Sequence, residues 1–120
     1  MTVGDLYHVQ LAMPEGGEDE AVEFYEQLLG IPQVPKPRHL VVRGGCWFES
    51  ERVRVHLGVE QEFRPASKAH PAFLVDDVTR LRERLTDAGV EVVDDQPLPG
   101  FRRFYVYDPF GNRLEFLEPT

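Results

Sequence analysis

The chain has 120 residues, the length of one compact domain of ordinary size. A hydrophobic content of 42% and a charged content of 28% suit a globular protein and exclude a disordered one. A net charge of −8 repels phosphate backbones, which excludes nucleic acid as a partner, and no apolar run approaches the roughly 20 residues that span a bilayer, which excludes a membrane helix.

The opening MTVGDLYHV has no basic stretch followed by an apolar one, so no secretory leader is expected. The single Cys46 cannot close an internal disulfide, and a reducing, cytoplasmic location follows. Leu6 to Leu11 alternates, with Tyr7, Val9 and Leu11 on one face and His8 and Gln10 on the other, which predicts a half-buried strand. Pro14, Gly16 and Gly17 mark a loop. Glu18, Asp19 and Glu20 suit the positive end of a helix, and Ala21, Phe24, Tyr25, Leu28 and Leu29 repeat at helical spacing up to Gly30, a helix-stopping glycine. Ile31 to Pro37 holds three prolines and predicts an extended connection or edge strand. Leu40–Val42, Cys46–Phe48 and Val53–Leu57 each read as a short strand; in the last, Arg54 and His56 face away from Val53, Val55 and Leu57.

Residues 60–68 are polar and aperiodic and form the expected linker between a first module, 1–59, and a second, 69–120. After it the order of events restarts. Ala69–Val75 predicts a strand, and Asp76 or Asp77 caps a helix over Val78–Ala88 with Leu81 and Leu85 inward. Gly89 closes that helix, and Val90–Val93 predicts another strand. Phe101 to Pro119 predicts a closing hairpin: Phe104 and Val106 leave one face, Arg103, Tyr105 and Tyr107 the other, and Asp108-Pro109-Phe110-Gly111-Asn112 reverses the chain.

Both halves therefore read β-α-β-β-β, an α+β chain of two βαβββ modules forming a curled mixed sheet around a central cavity. His8 and His70, Gly30 and Gly89, and His56 and Glu115 stand 59 to 62 residues apart, a register that suggests duplication of one supersecondary unit. His8, His56, His70 and Glu115 share a property: each is the polar member of an apolar strand, on the face opposite the core-type residues. Three imidazoles and a carboxylate converging on one sheet face form a metal site suited to Zn, Fe, Mn, Ni or Co. Burying Glu115 without a cation costs several kcal/mol or forces protonation, and a metal removes that cost. Taken singly, each histidine reads as a structural residue, and Glu115 can pair with Arg113 or Arg54. His39, beside prolines, is assigned no role. Tyr105, Tyr107, Trp47 and Phe48 read as core or wall residues. Arg102 and Arg103 read as a solvated turn, although Arg103 shares a strand face with Tyr105 and can meet an anionic substrate.

The hairpin sequence FYVYDPFGNRLEF (104–116), the helix sequence FYEQLLG (24–30) and the opening AHPAFLVDD (69–77) resemble the vicinal oxygen chelate superfamily of glyoxalases, extradiol dioxygenases, fosfomycin-resistance transferases and bleomycin-binding proteins. The resemblance implies two βαβββ modules around a metal-bearing cavity. It implies His8, His70 and Glu115 as the three ligands of the fosfomycin-resistance branch. His56 falls where glyoxalases keep a fourth ligand, usually glutamate, and if unligated it can act as general base. Tyr105 falls where the fosfomycin-resistance branch has a substrate-contacting tyrosine. The function implied is metal-dependent, glyoxalase-like lyase, isomerase or transferase chemistry, with the ion as Lewis acid for a small oxygen-bearing substrate. Two further readings stand beside it: a metal-free module that binds a drug or metabolite, and an extradiol-type dioxygenase. A homodimer is the expected assembly.

Overall fold

A computed structural model describes residues 1–120, and the chain divides into two units, Met1–Arg64 and Pro65–Thr120. In the first, strand β1 (Val9–Met13) leads to a helix that begins as α1 (Glu18–Ala21) and continues as a π-helix over Val22–Leu28. Ala21, Phe24 and Tyr25 are its buried residues. Gly30, at φ 77, ends it, where only glycine is unstrained. Strands β2 (Gln33–Val34), β3 (Cys46–Glu49) and β4 (Arg54–Val59) complete a sheet of order β1-β4-β3-β2, with β1 parallel to β4 and the other pairs antiparallel. Leu11, Met13, Cys46, Phe48, Val55 and Leu57 are buried, and Phe48 stacks on Tyr25 with ring centroids 5.5 Å apart.

The second unit repeats the plan. Strand β5 (Ala72–Leu74) precedes helix α2 (Val78–Asp87), whose cap Asp77 accepts from the Arg80 amide at 3.0 Å. Strands β6 (Phe101–Tyr107) and β7 (Arg113–Pro119) follow, in a sheet of order β5-β7-β6. Val78 and Leu85 of α2 are buried, as are Phe104, Val106, Leu114 and Phe116 of the hairpin. The hairpin turn is built by Asp108, whose Oδ1 accepts from the amides of Phe110 and Asn112 at 2.9 and 2.8 Å, while Asn112 Nδ2 donates to Oδ2 at 3.0 Å. Asn112 Oδ1 then accepts from the Ala66 amide, tying the start of this unit to the turn.

The register makes the repeat explicit. Gln10 pairs with His56 and Trp47 pairs with His56 in the first sheet; Ala72 pairs with Glu115 and Tyr105 pairs with Glu115 in the second. The chain is thus α+β with two modules, as the sequence implies, βαβββ in the first unit and βαββ in the second, where the expected extra strand is reduced to a bridge. Three local expectations change. Leu40–Val42 lies not in a strand but in a 3₁₀-helix, Arg38–Arg43, bounded by the extended Pro37 and by Gly44 at φ 75, and Val41 and Val42 point outward. Val90–Val93 contributes only one bridge, Val93 to Tyr105, because Asp94, Asp95 and Pro97 follow at once. The first strand starts at Val9, so Tyr7 is not core; it is exposed and its ring lies under the Arg54 guanidinium at 4.3 Å.

Candidate functional site

The four expected ligands fall into two pairs, one in each unit. In the second, His70 lies just before β5 and Glu115 on β7, and the parallel pairing of those strands brings them together: His70 Nε2 stands 3.1 Å from Glu115 Oε1. His70 Nδ1 lies 2.9 Å from the Lys68 carbonyl oxygen. A carbonyl only accepts, so Nδ1 carries a proton, and in neutral His70 the Nε2 lone pair then faces a carboxylate oxygen. Two acceptors face each other comfortably only with a proton or a cation between them. Neighbouring ligands each roughly 2.1 Å from an ion stand about 3.0 Å apart at octahedral angles and about 3.4 Å at tetrahedral ones, so the spacing of the pair is compatible with a divalent ion, with Lys68 as the outer contact that fixes the imidazole.

Glu115 is buried and has a second partner. Arg103, on β6, donates from Nη1 to Glu115 Oε2 at 3.0 Å and to the Tyr105 hydroxyl at 2.8 Å, and from Nη2 to the Gln96 carbonyl at 2.7 Å. The hydrogen bond to Glu115 pushes the guanidinium pKa further up. Neither Arg113 nor Arg54 is the partner: Arg113 lies over the Tyr105 ring at 3.9 Å, and Arg54 donates to the Tyr7 carbonyl. Arg103 is no solvated turn residue either, because it lies within the strand with its Nε buried and without a partner. Its guanidinium is committed to three protein acceptors. Tyr105 is buried, edge-on to His70, and because its oxygen accepts from Arg103 its own proton is free to donate.

In the first unit His8 is exposed and stacks on buried His56, centroids 4.3 Å apart and planes 18° apart. His56 stacks in turn on Trp47 at 4.0 Å and 3°. Ring lone pairs lie in the ring planes, and nearly parallel planes do not bring them to a common point. Moreover, His56 Nε2 stands 2.8 Å from Glu49 Oε2. The carboxylate accepts, so Nε2 is the protonated nitrogen and Nδ1 of neutral His56 is left basic. Of the two roles expected of His56, ligand and base, this arrangement favours the base. Glu49 escaped the sequence reading, although it lies two residues beyond Trp47, on the strand face that meets His56. The chain holds no group of three or more His, Cys, Asp or Glu side chains placed around one point. His39 sits in the 3₁₀-helix, exposed. No helix is long and apolar enough to cross a membrane.

The profile of the Glyoxalase/Bleomycin resistance protein/Dioxygenase superfamily matches residues 8–116. The structure of a protein assigned to the glyoxalase family in Bacillus anthracis is similar at 47% identity and TM-score 0.95, over 100% of this chain and 98% of that one. Lactoylglutathione lyase from Agrobacterium tumefaciens shares the fold at 23% identity and TM-score 0.75, over 98% and 95% of the two chains. A genomically encoded fosfomycin resistance protein from Listeria monocytogenes shares it at 18% identity and TM-score 0.78, over 99% and 96%. No curated protein matches the chain.

Proposed function

The chain belongs to the Glyoxalase/Bleomycin resistance protein/Dioxygenase superfamily, and from that premise we propose that it is a metal-dependent, glyoxalase-like enzyme acting on a small oxygen-bearing substrate. The observation that supports this reading best is the pairing of His70 Nε2 with Glu115 Oε1 at 3.1 Å while the Lys68 carbonyl holds the other imidazole nitrogen. His70 and Glu115 are the proposed ligands, for Zn, Mn, Fe, Ni or Co. A bound ion would supply Lewis-acid polarisation of a substrate oxygen. Tyr105 donates its hydroxyl proton to the substrate and orients it. His56, held by Glu49 at Nε2 and by the Trp47 and His8 faces, takes a proton at Nδ1 as general base. The cytoplasm is the proposed compartment. The proposed assembly is a homodimer, since β1 and β5 are open sheet edges, and a one-chain mass in solution would remove that part.

Elemental analysis of protein purified without a chelator or a histidine tag tests the reading. Stoichiometric divalent metal is expected in the wild type and in His39→Ala, and none in His70→Ala or Glu115→Ala. Full metal in Glu115→Ala would disprove the site. A second reading, a metal-free module that sequesters a drug or metabolite, draws support from Arg103, which already neutralises Glu115 without an ion. It predicts a metal-free wild type.

A further inference from the structure

We propose that Arg103 is an internal competitor of the metal: a built-in counter-cation that holds Glu115 in the metal-free protein, leaves only Oε1 for an ion, and thereby sets how tightly the ion is taken up. The inference rests on the metal reading above and concerns a residue outside the proposed ligand set. Two separate cations can compensate one buried carboxylate here. Arg103 Nη1 occupies Oε2 at 3.0 Å, and Oε1 faces His70 at 3.1 Å. The guanidinium cannot drift away, because the Tyr105 hydroxyl and the Gln96 carbonyl fix it from two other directions. With Oε2 bound, Glu115 offers an ion one oxygen rather than two. The fixed positive charge also repels a divalent ion at short range, and only a water-poor site makes that repulsion strong; Glu115 has 7% of its side chain exposed and Arg103 17%.

Removing the guanidinium therefore acts in two opposite directions. Without metal, Glu115 is left buried with no counter-cation, so the protein is weakened. With metal, the repulsion is gone and the second carboxylate oxygen is free, so the ion binds more tightly. A residue that merely filled space or merely oriented Glu115 would weaken both states.

The experiment compares wild type, Arg103→Met, Glu115→Gln and the double variant. Each is stripped of metal and melted, and wild type and Arg103→Met are titrated with Mn²⁺ and Zn²⁺ by calorimetry. In Arg103→Met the metal-free midpoint is expected to fall by roughly 10 °C, and to fall far less when Glu115 is already glutamine. The ion is expected to bind Arg103→Met about tenfold more tightly than wild type. Arg103→Lys, which keeps the charge but not the fork, should lie between the two and provides a folded comparison if the methionine variant fails. An equal fall in the Glu115→Gln background would overturn the pairing, and equal or weaker ion binding by Arg103→Met would overturn the competition. An ion that binds neither protein removes the metal reading and the competition together; an ion that binds both equally removes the competition alone.

Discussion

The two units lay down the same ladder and place different chemistry at the same rungs. His56 faces Gln10 and Trp47; Glu115 faces Ala72 and Tyr105. Each is a buried polar group in an apolar strand and needs a partner. An imidazole needs only an acceptor, and Glu49 supplies it from the neighbouring strand. A carboxylate needs a cation, and Arg103 supplies it, also from the neighbouring strand but on the other side of the rung. The first unit could not have copied that solution. Cys46 and Phe104 occupy one register position, opposite Leu57 and Phe116, so the counterpart of Arg103 is Gly45. A Cβ on Gly45 would stand 2.1 Å from the Leu57 carbonyl oxygen. A repeated backbone thus fixes where polar groups fall. How each is compensated is settled rung by rung, by the space the neighbours leave.

The sharpest way to break this comparison is to truncate both groups. Glu115→Ala strands the Arg103 guanidinium inside the sheet and should cost about 3–5 kcal/mol. His56→Ala leaves Glu49, with 27% of its side chain in water, and should cost about 1–2 kcal/mol. Urea midpoints measure both, and equal losses would mean the two rungs are compensated alike. The same variants separate the two roles of His56: bound metal is expected to survive His56→Ala, and its loss would return His56 to the ligand set.

Next in size is Gly45→Ala. The backbone there has φ +82, and the added carbon meets the Leu57 carbonyl, so about 3 kcal/mol should be lost. Gly100→Ala is the control, with a similar φ of +89 but nothing within 4 Å, and should cost only about 1 kcal/mol. Should the two lose the same amount, the first unit has room for a side chain at position 45, and the account of why it lacks an arginine there falls.

Much of this was legible in the sequence because strand period and repeat register are local signals. Alternation along Phe101–Tyr107 separated Phe104 and Val106 from Arg103 and Tyr105, and the offset between halves put His56 and Glu115 on one rung before any coordinates. What escaped was diagonal. Glu49 meets His56, and Arg103 meets Glu115, across strands rather than along them, and which arginine answers a buried carboxylate depends on side-chain reach, not on spacing. Arg113 and Arg54 were closer in pattern but lie over aromatic rings instead, those of Tyr105 and Tyr7. Leu40–Val42 misled for a different reason: three apolar residues carry no period, and the flanking Pro37 and Gly44 set the local path.

A pH-dependent effect comes from the core side of the same ladder, where the first unit has Cys46 and the second Phe104. Burial pushes the Cys46 thiol up to about 11, with the Glu18 carboxylate adding to the rise and the Lys36 ammonium opposing it. The folded protein therefore keeps this proton after the unfolded chain, with its ordinary value of 9.0, has lost it. Stability from this group is complete below about pH 9 and declines as pH rises toward about 11, by at most about 2–3 kcal/mol. The informative quantity is a difference. The urea midpoint of wild type minus that of Cys46→Ala should shrink between pH 8 and pH 10.5. In the same terms, iodoacetamide at pH 8 should label native Cys46 far more slowly than the urea-unfolded chain. Equal labelling rates would mean that water reaches the thiol, and that this rung is not sealed as its Phe104 counterpart is.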